Sequence, residues 1–163
     1  MMMNSQAWID YLNLEAHPEG GYFRQVEKST DLLQEGHDKV RSRYTSIYFL
    51  LTHDNPSNFH RLTADEVWYY HAGASLTIHM ISPEGHYSCV DLGLSIQDGQ
   101  VLQYRVPKGY IFGSSVDQAE GYALVSCMVA PGFEFDDFEL FERQDLLDLY
   151  PQHQAIIERL TRP

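Results

Sequence analysis

The sequence predicts an all-β fold, a sandwich or barrel, with short helices at both ends. Three observations carry this reading: a series of short segments rich in Tyr, Phe, Val and Ile, the turn residues between them, and their regular spacing. Of the 163 residues, 44% are apolar and 13% aromatic, enough to bury a real core. No repeat, low-complexity tract or linker interrupts the chain. One domain is therefore expected over residues 1–163, with a helix and arm at about 4–28, a barrel at about 44–142 and a helical tail at about 143–163.

The elements follow in order. Asn4 or Ser5 caps a short helix, SQAWIDYLNL, whose Trp8, Ile9 and Leu12 recur at helical spacing. In HPEGGYFRQVEKS, Pro18 and the Gly20-Gly21 pair turn the chain sharply into an aromatic strand. No helix opens after the glycines, so they mark backbone geometry and not a phosphate loop. A polar loop is expected over residues 29–43, with Lys39, Arg41 and Arg43 solvated or paired within the chain. The strand candidates are then YTSIYFLLT, SNFHRL, DEVWYYHAG, SLTIHMISP, HYSCVDLGL, VLQYRVP, GYIFGSSV, GYALVSCMVA and EFDDFELF. In ERQDLLDLYPQHQAIIERL, the spacing of Leu146, Leu147, Leu149, Ile156, Ile157 and Leu160 predicts two closing helices, with Pro151 suited to the first turn of the second.

Charge and composition exclude several functions. With 23 acidic residues against 11 Lys and Arg, the formal charge is −12, which repels nucleic-acid backbones and anionic membranes. The longest apolar run, IYFLL, is far short of a bilayer span, and MMMNSQAWID shows neither a basic leader nor an apolar core. The expected location is cytoplasmic. Two cysteines, Cys89 and Cys127, are too few and too far apart for a disulfide framework, and VSCMV reads as a strand with its thiol packed.

The richest stretch is NFHRLTADEVWYYHAG. Strand alternation puts Glu66, Trp68 and Tyr70 on one face and Val67, Tyr69 and His71 on the other, while Asn58 goes with His60. With the intervening LTA-Asp segment as a tight turn, His60 and Glu66 are expected to face each other across a hairpin.

At these residues the chain resembles the cupins. Asn58, His60, Glu66 and Gly73 resemble a modified first cupin motif, and Pro107, Gly109 and Phe112 in VPKGYIF resemble the second. HPEGGYFR, IYFLL, FHRL-x-x-DE-x-W, VP-x-G-x-x-FG and the late SC-x-V-x-PGF run resemble, in the same order, a group of small uncharacterised cupins, the fifth cupin grouping, over about residues 11–142. The resemblance implies a cupin double-stranded β-helix, a jelly-roll barrel, and a homodimer in which the N-terminal segment crosses to the partner. Fold alone does not give function.

The motif match also bears on metal. Asn58 stands where the first motif histidine would be and Phe112 where the second motif histidine would be, leaving His60 and Glu66 as the aligned ligand types. Two protein ligands hold a transition metal poorly, and His79 joins them only if the register brings it inward. No cofactor is expected, with a divalent transition metal on His60 and Glu66 as the alternative.

In a metal-free pocket, burial would raise the Glu66 carboxyl toward the working range of a general acid, with His60 as the base. Tyr22, Tyr48, Trp68, Tyr70 and Phe112 are candidates for a stacking wall, Arg24 for a ligand carboxylate or phosphate, and Asn58 for a further ligand contact. The rival readings are that His60 and Glu66 satisfy one another in a polar core and that Arg24 pairs with Glu19, Glu27 or an acidic residue of a partner subunit. The sequence thus points to a cupin binding a small polar metabolite, sugar-like or carboxylated, and acting as a metal-free isomerase or epimerase. A metal-dependent dioxygenase or isomerase and a non-enzymatic binding or storage module stand as alternatives.

Overall fold

The structure is a computed structural model that describes residues 3–163; Met1 and Met2 lie outside the described residues. A helix α1 (Ser5–Leu12) opens the described chain. The Asn4 side chain accepts from the Ala7 N–H, and Asn13, at φ 52°, ends the helix in the left-handed region. The strands are β1 (Glu15–Ala16), β2 (Tyr22–Lys28), β3 (Leu32–Glu35), β4 (Lys39–Ser42), β5 (Thr45–Thr52), β6 (Ser57–Leu62), β7 (Asp65–Gly73), β8 (Leu76–Ile81), β9 (Tyr87–Leu92), β10 (Gln103–Val106), β11 (Ile111–Ser115), β12 (Tyr122–Ala130) and β13 (Phe138–Leu140). Helices α2 (Arg143–Leu149) and α3 (Gln154–Arg159) follow, joined by a 3-10 turn with Pro151 in its first turn.

Two antiparallel sheets carry the fold, one ordered β1-β2-β5-β12-β7-β10 and the other β13-β6-β11-β8-β9. Their inner faces enclose a core that includes Phe49, Leu51, Trp68, Ile78, Met80 and Phe112. Both outer faces are also partly covered. Helix α1 lays Trp8, Ile9 and Leu12 over Leu50 and Leu124, and the C-terminal helices bury Leu146, Ile157 and Leu160 against Phe59, Ile81 and Ile111. That double burial is why IYFLL is apolar at every position instead of alternating. No helix among the described residues is long and apolar enough to cross a membrane.

Two segments depart from the sequence reading. The loop expected over residues 29–43 contains a hairpin, β3 paired with β4, whose Leu32 and Val40 are exposed and so give no core signal. Its cations are paired within the chain as expected: Arg41 and Lys39 with Asp137, and Arg43 with Asp31. The final strand candidate, EFDDFELF, is a 3-10 turn at Phe135–Asp137 followed by the three-residue β13.

The loop between β1 and β2 crosses to the opposite sheet. Asn58 N–H donates to the Glu19 carbonyl at 2.7 Å, and Gly21 N–H donates to the Asn55 side chain at 3.1 Å. Gly20 sits at φ 111°, and a Cβ there would lie 2.0 Å from the Pro56 carbonyl oxygen. Any side chain would therefore push β6 away from the loop. Gly20→Ala is expected to destabilise the fold by about 2 kcal/mol or more, read from the urea midpoint, because strained backbone and a backbone clash add together. An unchanged midpoint would refute this close approach.

Candidate active site

The geometry gathers four ionisable side chains at one end of the barrel interior. His17 and Glu19 come from the β1–β2 loop, His60 from β6 and Glu66 from β7, and all line one pocket of about 90 Å³. They are 8%, 7%, 2% and 7% exposed, respectively. A pocket this size lies below the roughly 300 Å³ at which drug-sized ligands begin to fit, so it suits a small molecule or the head of a larger one.

Hydrogen bonds fix the tautomers. His60 Nδ1 lies 2.7 Å from the Asn58 carbonyl oxygen and 3.0 Å from Glu19 Oε2. Both neighbours are acceptors, so Nδ1 carries the proton and Nε2 is the position left for a ligand. Ser57 Oγ donates to the same Glu19 oxygen. On the other side, the Glu19 backbone N–H donates to His17 Nδ1 at 3.1 Å, while Glu19 Oε1 lies 3.3 Å from that nitrogen. The amide and a protonated Nδ1 cannot both point along one line; a neutral His17 protonated at Nε2 satisfies the amide. Burial lowers the His17 pKa in agreement with that tautomer, against the opposing pull of Glu19.

The buried charges separate into unlike roles. Burial pushes Glu19 up, but the attraction and hydrogen bond of His60, with help from His17 and Ser57, hold its carboxyl below the usual range. Burial likewise opposes charge on His60, yet Glu19 outweighs it and raises the imidazole. Glu66 has no such anchor. Desolvation, reinforced by the Glu19 charge and only partly offset by His60, pushes it up to about 7. Its neighbour Cys127, diagonal to it across the β7–β12 ladder, is buried with its thiol raised well above the ordinary value, which makes it a packing group and not a thiolate nucleophile.

The sequence-predicted residues separate along strand faces. His60 and Glu66 do meet in one pocket. They do so across the two sheets and not across a hairpin, because the chain turns a corner after Leu62 and β7 joins the other sheet. Asp65 holds that corner by accepting from the Lys108 N–H at 2.8 Å. Asn58 contributes its backbone to the site, through both N–H and C=O.

Tyr22 and Tyr48 pack beneath α1 on the outer face. Arg24, opposite Tyr48 in the ladder, shares that face, so it cannot serve a ligand in this pocket. It forms no ion pair with Glu19, whose Oε2 is occupied by His60 and Ser57. Trp68 and Phe112 are fully buried in the core, Phe112 with its ring 4.2 Å from that of His60, and Tyr70 donates to the Gly73 carbonyl at 2.5 Å. The pocket wall is instead Phe23, Phe133, Phe135 and Phe138, none of which the sequence reading selected.

The donor set does not fit a resident metal. Glu19 Oε2 is engaged by His60 and Ser57, and Phe112 stands directly opposite His60 in the ladder, where a further ligand would be required. His79 faces outward, between Tyr87 Oη at 2.7 Å and Ser115 Oγ at 2.9 Å. Among the described residues no group of three His, Cys, Asp or Glu side chains is arranged to hold a metal ion.

Two antiparallel sheets closed around an interior histidine and carboxylates define a cupin. Residues 6–141 match the family described as Cupin superfamily (DUF985), and the chain belongs to that family. It is similar to a solved structure of protein SO0799 from Shewanella oneidensis, at 51% identity and a TM-score of 0.93, covering 99% of each chain. A hypothetical protein from Leishmania major has the same TM-score at 42% identity, covering 99% of this chain and 100% of that one. The uncharacterized protein YML079W of Saccharomyces cerevisiae is 28% identical over 156 residues, 87% of this chain and 77% of that protein.

Proposed function

We propose that this cupin binds a small polar metabolite without anionic charge and moves a proton on it, as an isomerase or epimerase. The observation that carries this reading is the pairing of unlike groups in one buried pocket. Glu19 fixes the orientation and proton of His60, while Glu66, at about 7, is half protonated near neutral pH. Glu66 in its acid form donates to a developing oxyanion, or as carboxylate removes a proton from the adjacent carbon. His60 Nε2 is the complementary partner. Glu19 is a positioning residue, since its Oε2 is engaged by His60 and Ser57.

A carboxylated or phosphorylated ligand loses support, because no Lys or Arg among the described residues lines the pocket and Arg24 lies on the opposite face. The test is carbon-bound deuterium incorporation from D2O, followed by proton NMR across a panel of small hydroxycarbonyl and aminocarbonyl compounds. Wild-type protein is expected to label at least one compound next to its carbonyl. His60→Gln and Glu66→Gln should each slow labelling by about 10²-fold or more. Labelling that survives in both variants would refute the assignment, as would a wild-type protein that labels nothing.

A further inference from the structure

We infer that the ligand of this pocket carries a cationic nitrogen, an alkylammonium group seated against the phenylalanine wall with Glu66 as its counter-charge; this rests on the reading above that the pocket is the ligand site. Phe133, Phe135 and Phe138 stand mutually edge to face. Their centroids are 5.0 to 6.0 Å apart and their planes meet at 68 to 83°. All three rings line the pocket, where the His17 and His60 imidazoles already pack against Phe135 and Phe138, and an aromatic ring's electron-rich face attracts a cation. Phe23 lines the same pocket, and Phe135, 55% exposed, stands at its rim.

The charges lead to the same class of ligand. No Lys or Arg among the described residues lines the pocket, so an anion entering it would meet two buried carboxylates and only the imidazoles of His17 and His60. The cations nearby in sequence or space are engaged outside the pocket, Lys28 with Glu134, and Lys39 and Arg41 with Asp137. Glu19 already has His60 at 3.0 Å, whereas Glu66, only 7% exposed, has no ion-pair partner among the described residues. A buried carboxylate without a cation, beside an aromatic wall, lacks the partner that an ammonium group would supply.

Three probes of similar size separate the possibilities: tetramethylammonium chloride, its neutral isostere tert-butanol, and sodium acetate. Binding would be followed through the methyl resonances of Ile47, Leu62 and Val129, which line the pocket. Tetramethylammonium is expected to bind at least about tenfold more tightly than tert-butanol, with acetate the weakest of the three. Glu66→Gln should erase that preference, and Phe138→Leu should reduce it about tenfold while leaving the fold intact by circular dichroism.

Tert-butanol or acetate matching or exceeding the ammonium ion would overturn the ligand class while leaving the pocket as a ligand site. Failure of all three to move those methyls would overturn the class and the pocket reading together. In that last case deuterium labelling should also be absent, which separates the two failures.

Discussion

Glu19→Ala is expected to destabilise the protein by about 3–5 kcal/mol near pH 6, measured by urea unfolding over a pH series. The substitution leaves the His60 imidazole buried with only the Asn58 carbonyl as a partner, and removing one member of a buried pair typically costs this much. The pH dependence has a definite sign. Glu19 is held below its ordinary 4.5, so its contribution is present above 4.5 and is lost as pH falls through the lower folded value. His60 is raised above its ordinary 6.5, so its contribution is complete below 6.5 and is lost as pH rises through the higher folded value.

The gap between wild type and variant should therefore be widest between 4.5 and 6.5 and narrow on both sides. A double variant, Glu19→Leu with His60→Phe, should recover much of the loss, because apolar groups replace both charges at once. A gap below about 1 kcal/mol throughout the series would show that the pair is solvated and contributes no more than a surface bridge.

The strands and the His60–Glu66 pair were legible because alternation is a local property of the chain. Asn58 with His60, and Glu66 with Trp68 and Tyr70, share faces as the period of two requires. Alternation does not reveal which face looks inward when both are covered. Helix α1 buries the outer side of β5, so Tyr22 and Tyr48 carry the same aromatic signal as pocket residues while lying on the far side of the sheet. Nor does a short connection distinguish a hairpin from a corner between sheets, which is why the sequence alone reads His60 and Glu66 as facing across one hairpin.

The remaining site residues sit where no period exists. His17 and Glu19 arrive on a loop that reaches β6 because Gly20 permits close backbone contact. The adjacent glycines were the available signal, a mark of close approach as well as of turning. Phe133, Phe135 and Phe138 fall around a 3-10 turn, so neither helical nor strand spacing selects their direction. That turn is held by the bidentate Arg41–Asp137 pair across 96 residues of sequence, a long-range contact that local patterning does not encode.

Glu66→Gln should remove proton transfer and at the same time stabilise the protein above neutral pH. In the folded chain the Glu66 carboxyl is pushed up to about 7 from an ordinary 4.5. Its neutral form is thus favoured by folding: the stability it contributes is complete below 4.5 and is lost as pH rises through about 7. Over that interval, at roughly 1.4 kcal/mol per pH unit, the loss is ~3 kcal/mol. A glutamine at this position does not titrate.

Wild type and variant should therefore melt alike near pH 4.5, with the variant gaining ~3 kcal/mol by pH 8.5. A purely structural Glu66, ionised and paired with His60 to satisfy the core, predicts the reverse sign, since glutamine would forfeit a favourable charge interaction. The two measurements decide together. A variant that is inert yet more stable in alkali identifies a carboxylate kept at a cost to the fold for the chemistry of the pocket, whereas one that is less stable at every pH reduces Glu66 to a packing group.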